Sequence, residues 1–207
     1  MPATHCKPLG AAALTAYLAG PDVFLTDAAR IAASKSRLCA TYGIIALCPQ
    51  DSGPIARHGA GPLARTIAEA NEALIRQCDF VIANCSPFRG VSLDPGTAYE
   101  IGYARALGKP VFGYSSALAS YRRRVQHYRR VGDPLGADAK RSRVEDFGLG
   151  DNLMIATGLA HGLVRCRARR GCEIAAQQGF ARCLMVAVRT MRAEGGAGAR
   201  RRGRRRT

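Results

Sequence analysis

The chain lacks the usual means of holding a metal. No CxxC pair occurs and no histidine stands at zinc-ligand spacing, although there are eight cysteines and four histidines. Cys39, Cys48 and Cys85 sit in or beside apolar stretches and read as small core hydrophobes of a reducing compartment. Neither a metal nor a cofactor is expected. No apolar run reaches the ~20 residues needed to span a bilayer. Leu14–Gly20 is apolar but lacks the charged lead and the length of a signal peptide. A cytoplasmic protein without a membrane partner is the expectation. A P-loop is also missing, which removes that route to nucleotide binding.

Acidic residues are scarce: 15 stand against 31 lysines and arginines, a formal charge of +16. Such an excess points to nucleic acid, so its location matters. Seven arginines lie between Arg192 and Thr207, with Glu194 the single acid there. That stretch of Gly, Ala and Arg has almost nothing to bury and is expected to be a disordered tail, 192–207. A second cluster comprises Arg122, Arg123, Arg124, Arg129 and Arg130. Both read as solvated surface, with nonspecific attraction to nucleic acid at low salt as a by-product.

What is present suits one domain over residues 1–191, opening with a loose leader over 1–13. Leu14–Gly20 is a nearly all-apolar first strand, broken by Gly20-Pro21-Asp22. Thr26 is expected to cap a helix running to about Tyr42. Ile44–Cys48 is the second strand, followed by a polar loop from Gln50 to Pro62. Leu63–Gln77 has the apolar spacing of a helix, and Phe80–Ala83 is the third strand. Asp94 and Pro95 open a helix that closes near Leu107-Gly108. Pro110–Tyr114 is the fourth strand. Alternation at this spacing predicts a parallel α/β sheet with its site beyond the strands' carboxyl ends, where Tyr17–Asp22, Gln50–Ser52 and Asn84–Asp94 fall. Further on, the reading gives a helix over Tyr121–Arg130, a long loop over Val131–Gly150, a buried helix over Asn152–Leu163, a fifth strand around Leu163–Arg167 and a final helix over Cys172–Arg192.

The chemistry concentrates in Tyr17-Leu-Ala-Gly-Pro-Asp22, in Ala83-Asn84 through Asp94-Pro-Gly-Thr-Ala-Tyr-Glu100-Ile-Gly102-Tyr-Ala104, and in Asp146-Phe-Gly-Leu-Gly-Asp-Asn152-Leu-Met154. Glu100 follows Ala98 and precedes Ile101 on a helix that otherwise faces a core. Desolvation there raises a carboxyl pKa, while the helix N-terminus lowers it. Gly96 and Gly102 leave room for close approach, and Thr97 adds a hydroxyl near the helix start.

From Tyr17 to Met154 the chain resembles the nucleoside 2-deoxyribosyltransferase family. The motifs are YLAGPDVF, ANCSPFRGVSLDPGTAYEIGYARALGKPV and DNLM, the DxGTxxE helix after a strand ending in Ala-Asn being the specific one. The resemblance implies a flavodoxin-like parallel sheet of four to five strands with helices on both faces. It also implies a carboxylate nucleophile, Glu100, that attacks C1′ of a 2′-deoxyribose as one base departs and a second base attacks the ester. The configuration is retained, as in a retaining glycosidase. Tyr17 matches the tyrosine that hydrogen-bonds the nucleophile; by itself it is also a plain strand aromatic in the core. Asp94 matches an aspartate that holds the nucleoside; by itself it is also a plain helix N-cap. Asn152 matches an asparagine delivered from a neighbouring subunit to the sugar hydroxyls, or is a helix cap. Gly20 and Asp22 shape the sugar pocket, with Asp22 equally readable as a turn residue. Gly96 and Thr97 join the binding set.

Where the family often carries an acid for the leaving base, this chain reads Glu69-Ala-Asn71-Glu72. Asn71 is taken as the pocket residue with Glu72 as the alternative; an amide supplies no acid proton. The implied partners are deoxynucleosides, free nucleobases and further copies of the chain. A rival is an N-glycosidase in which water resolves the ester, acting on a nucleoside or on a 5′-monophosphate held by Ser86, Arg89 and Ser92. A noncatalytic nucleotide- or nucleic-acid-binding protein is the alternative from another class, resting on charge alone. A flavin-binding flavodoxin lacks a clear phosphate cradle.

Overall fold

The computed structural model describes residues 13–49, 61–131, 142–169 and 176–203, of which 61–62 and 195–203 are described by their backbone alone. Most of the leader, Gln50–Ser52 of the expected site loops, much of the long loop after Val131, the expected start of the last helix at Cys172 and the final four residues lie outside these ranges.

Five strands form one sheet: β1 (Thr15–Ala19), β2 (Ile45–Leu47), β3 (Phe80–Asn84), β4 (Val111–Ser115) and β5 (Leu163–Arg165). Their order is β2-β1-β3-β4-β5, every pair parallel. This is the flavodoxin-like order, with its topological switch between β1 and β3. The sheet and the fifth strand match the sequence reading. The helices are α1 (Ala28–Thr41), α2 (Gly61–Gln77), α3 (Pro95–Ala106), α4 (Tyr121–Arg130), α5 (Leu153–Ala156) and α6 (Gln177–Gly203). No helix among the described residues is long and apolar enough to cross a membrane.

Alternation along the strands sorts the core onto two faces. Ala16, Leu18, Phe80, Ile82, Phe112 and Tyr114 point to one side, where Phe180, Cys183, Leu184, Ala187 and Val188 of α6 cover them. Tyr17, Ala19, Val81, Ala83 and Val111 point to the other, against Ile75 of α2 and Ile101 and Ala104 of α3. Cys39, Cys48 and Cys85 are buried, as read from the sequence.

Several boundaries differ. Thr26 does not cap α1. A 3-10 turn over Pro21–Phe24, closed by the Leu25 amide on the Asp22 carbonyl at 3.1 Å, uses up the chain that would have been the helix start. The N-cap is Asp27, whose carboxylate pairs with Arg30 rather than with the helix amides. The expected buried helix over Asn152–Leu163 is only the four-residue α5, with no buried residue of its own. Two glycines explain the early stop. An ideal Cβ at Gly158 would lie 2.8 Å from the Arg105 side chain, and Gly162 takes a left-handed φ of 69° to lead into β5. The last helix continues beyond the Arg192 boundary to Gly203, into the segment expected to be disordered. Ala197, Ala199 and Arg200, Arg201 and Arg202 favour this extension, whereas Gly195, Gly196 and Gly198 oppose it.

Candidate active site

The site is built on α3 and its contact with β1. Pro95 stands at the first helical position, where its missing N–H costs nothing, and Asp94 caps the helix ahead of it. The Asp94 Oδ2 accepts from the Thr97 amide at 2.9 Å and from the Thr97 hydroxyl at 3.2 Å. Such a cap contributes ~1 kcal/mol. An ideal Cβ on Gly96 would sit 3.0 Å from the same oxygen, so glycine leaves the Asp94 carboxylate uncrowded. Thr97 is buried, with its hydroxyl spent on Asp94. At Gly102 a Cβ would meet nothing within 4 Å among the described residues, so no other strand approaches closely there.

Glu100 lies on the next turn. The Tyr17 hydroxyl donates to Glu100 Oε1 at 2.5 Å, joining the middle of β1 to the helix. Burial pushes the Glu100 carboxyl up to about 7; the Tyr17 hydrogen bond opposes this and the Asp94 charge adds to it. The Tyr17 phenol is fully buried and strongly raised, first by burial and then by Glu100, so it remains a donor. A carboxylate titrating near neutrality, with one oxygen oriented by a phenol, is equipped for nucleophilic or proton-transfer work.

Gly20 and Asp22 lie at the carboxyl end of β1. A Cβ at Gly20 would come within 2.8 Å of the Asn84 Cβ, so the ends of β1 and β3 touch only because residue 20 is glycine. Asp22 is engaged on both oxygens: Oδ1 accepts from Asn84 Nδ2 at 3.1 Å and Oδ2 pairs with Lys35 Nζ. Its turn and its side-chain contacts therefore coexist. Lys35, only 2% exposed, also donates to the Tyr114 hydroxyl at 2.7 Å and lies over the rings of Tyr114 and Phe180. The sequence reading missed Lys35. Its signal was spacing: Ile31, Lys35 and Cys39 recur every four residues on the buried stripe of α1.

Asn71 is half-buried on α2, four residues before Ile75, which packs in the same cluster as Tyr17 and Ile101. Glu72 faces the α2–α3 rim, where it accepts from the Tyr99 hydroxyl and pairs with Arg76. Asn152 makes no hydrogen bond to Tyr17 or Glu100. It caps α5 through Met154 N at 3.0 Å and donates from Nδ2 to Glu145 at 3.1 Å. It also lines a cavity of about 430 Å³ with Tyr121, Tyr128 and Arg129.

The basic cluster on α4 divides. Arg122, Arg123 and Arg130 are exposed, as expected. Arg124 is not solvated surface: its side chain is 11% exposed and paired with the fully buried Asp151. Among the described residues no group of three or more His, Cys, Asp or Glu could hold a metal ion.

Fold and site together define a flavodoxin-like α/β protein whose chemical group is a tyrosine-held carboxylate at the sheet's β1–α3 contact. The chain belongs to the nucleoside 2-deoxyribosyltransferase family, whose sequence pattern it matches over residues 16–154. That family is one of enzymes acting on nucleosides. The fold is similar to that of a 2-deoxyribosyltransferase from Leishmania mexicana, with a TM-score of 0.59 and 32% identity, covering 83% of this chain and 97% of that one. It is also similar in fold to a conserved protein from Enterococcus faecalis V583, with a TM-score of 0.50, 23% identity, and 81% and 99% of the two chains covered. An uncharacterised protein of Schizosaccharomyces pombe is 36% identical over 118 residues, 55% of this chain. The chain spans 56% of that relative's length.

Proposed function

We propose that the chain exchanges the nucleobases of 2′-deoxyribonucleosides through an ester on Glu100. The observation that carries this reading is the 2.5 Å hydrogen bond from Tyr17 to a carboxyl raised to about 7 on the helix that Asp94 caps. In its ionised form Glu100 attacks C1′. The C1′–N bond breaks with its electron pair passing to the base, which takes a proton from solvent, and a C1′–O bond forms to the carboxylate. A ring nitrogen of a second base then attacks C1′, the ester C–O bond breaks back to Glu100, and the new nucleoside loses that nitrogen's proton. Two inversions give retention.

Tyr17 directs one carboxylate oxygen and stabilises the charge on it when the ester leaves. Asp94 binds substrate through Oδ1, its Oδ2 being used by the cap. Gly20, Asp22, Gly96 and Thr97 shape the sugar pocket, and Asn71 holds the base without supplying an acid proton. Asn152 reaches the sugar hydroxyls of a neighbouring copy. The buried free cysteines fit a reducing, cytoplasmic setting.

A nucleoside suits the site better than a 5′-monophosphate. The Ser86 hydroxyl accepts from the Ser116 amide at 3.1 Å, and the Ser92 hydroxyl donates to Asp151. Arg89 stacks on Phe24 and Phe88. Of the three groups a phosphate would need, Ser92 thus spends its proton within the chain and Ser86 is buried. The test is incubation with deoxyinosine, with and without adenine, followed by chromatography. Deoxyadenosine that forms only with adenine supports exchange. Hypoxanthine released equally in its absence makes the enzyme a hydrolase, and turnover confined to deoxynucleoside monophosphates moves the substrate to nucleotides.

A further inference from the structure

We propose that Arg124 and Asp151 form a clamp that positions the Asn152 turn against the entrance to the nucleophile helix; its functional side rests on the reading of Asn152 as a sugar-binding residue. Arg124 spends its guanidinium on four partners in three separate segments. Nε donates to the Val91 carbonyl at 2.8 Å, one terminal nitrogen donates to the Ala119 and Gly150 carbonyls at 2.9 and 2.7 Å, and the other reaches Asp151 Oδ2 at 3.1 Å. The remaining Asp151 oxygen accepts from the Ser92 hydroxyl and from the Asn152 amide, the latter at 2.8 Å. One ion pair therefore ties the loop two residues ahead of the Asp94 cap, the loop after β4, and the turn that carries Asn152.

Stability alone is a poor reason for such a pair. Burying two charges costs several kcal/mol, often about as much as their attraction returns, and apolar packing commonly does as well. A planar fork with fixed donor directions does supply geometry. Here it fixes where Gly150 and Asp151 lie relative to Val91 and Ser92. The turn also packs tightly on β5, since a Cβ at Gly150 would fall 2.7 Å from a Leu163 methyl. Asn152 leaves this turn with its backbone amide held by Asp151 and its side chain held by Glu145. The clamp thus fixes the backbone from which Asn152 projects, while Glu145 and the cap on Met154 direct its side chain.

The experiment uses the full chain and the variants Arg124→Lys, Asn152→Ala and their combination, with Asp151→Asn as a second break in the same pair. Lysine keeps the charge and loses the fork. Turnover of deoxyinosine with adenine is measured together with amide hydrogen exchange. In Arg124→Lys the KM for deoxyinosine is expected to rise about tenfold with kcat nearly unchanged, and not to rise further when combined with Asn152→Ala. The amides of Asn152 and Leu153 exchange about tenfold faster, while those of β3 are unaltered. Asp151→Asn changes both readouts in the same direction. Unchanged exchange at Asn152 and Leu153 overturns the clamp. Effects on KM that multiply in the combined variant overturn its action through Asn152. Absence of turnover in the unaltered protein, with faster exchange in Arg124→Lys, overturns the functional reading and leaves the clamp standing.

Discussion

Tyr17 and Glu100, 83 residues apart in the chain, share a 2.5 Å hydrogen bond that joins the middle of β1 to the second turn of α3. The bond acts on the carboxylate form, because the phenol donates and only the ionised acid gains fully from it. Burial acts the other way. The balance leaves Glu100 at about 7, where modest changes around it alter its charge under working conditions.

Replacing Glu100 by alanine is expected to remove base exchange by more than about a thousandfold while the protein stays folded. In the unaltered enzyme, quenching with donor nucleoside and no acceptor should leave one deoxyribosyl group on the peptide that contains Glu100. Mass spectrometry of that peptide decides the matter; a label on any other residue removes Glu100 from its role.

The pH dependence follows from the raised carboxyl. In the proposed exchange the attacking form is ionised, so kcat/KM for the donor should climb as pH rises through about 7 and then level off. Stability goes the other way. The folded state holds the Glu100 proton more tightly than the unfolded chain, so this group contributes its stability at low pH and loses it as pH rises from the ordinary glutamate range to about 7. Glu100→Gln removes the charged form, and its melting temperature should exceed that of the parent above neutrality but not near pH 4. Equal melting temperatures at both pH values would show that Glu100 is not desolvated.

Tyr17→Phe deletes the donor and keeps the ring in the core. The acid limb of the rate profile is expected to move to higher pH, because the carboxylate loses its hydrogen bond. The plateau kcat should fall by about ten- to a hundredfold. A profile that stays in place with a lowered plateau would assign Tyr17 to packing alone.

Lys35→Met leaves the Asp22 carboxylate beside a gap at the end of β1. A loss of about 3 kcal/mol is expected in urea unfolding, with much of it recovered when Asp22→Asn is added. Additive losses in the pair would mean that Lys35 serves its contacts with Tyr114 and Phe180 rather than Asp22.

Gly20→Ala places a methyl 2.8 Å from the Asn84 Cβ and should cost about 1–3 kcal/mol, read by thermal unfolding. An alanine variant of unchanged stability would show that the ends of β1 and β3 separate easily.

How far the sequence reveals this protein depends on whether each signal is local. α3 could be read to within a residue because its start, Asp94-Pro95, and its stop near Gly108 lie in the segment itself. The same holds for β1, β3 and β4, whose apolar runs need no knowledge of their neighbours. Lys35 and Arg124 could not be assigned in this way. Each looks like a surface residue until its acceptors arrive from elsewhere: Tyr114, 79 residues from Lys35, and Val91 and Asp151, 33 and 27 residues from Arg124. The helix expected over Asn152–Leu163 failed for a related reason. Its apolar residues satisfied helical spacing, but Gly158 and Gly162 serve contacts and a turn that are set by Arg105 and β5.

The two-faced sheet has a consequence for how this enzyme can change. Tyr17 and the inner side of α3 meet on one face, and α6 covers the other, with the alternation of β1, β3 and β4 keeping the two sets of side chains from mixing. Substitutions beneath α6 that leave Lys35 and Tyr114 in place are thus free to drift in size and shape without touching the Tyr17–Glu100 pair. Lys35 is the link across, since it joins the α6 side to Asp22 at the end of β1. The molecule separates the part that must endure from the part that can be reinvented.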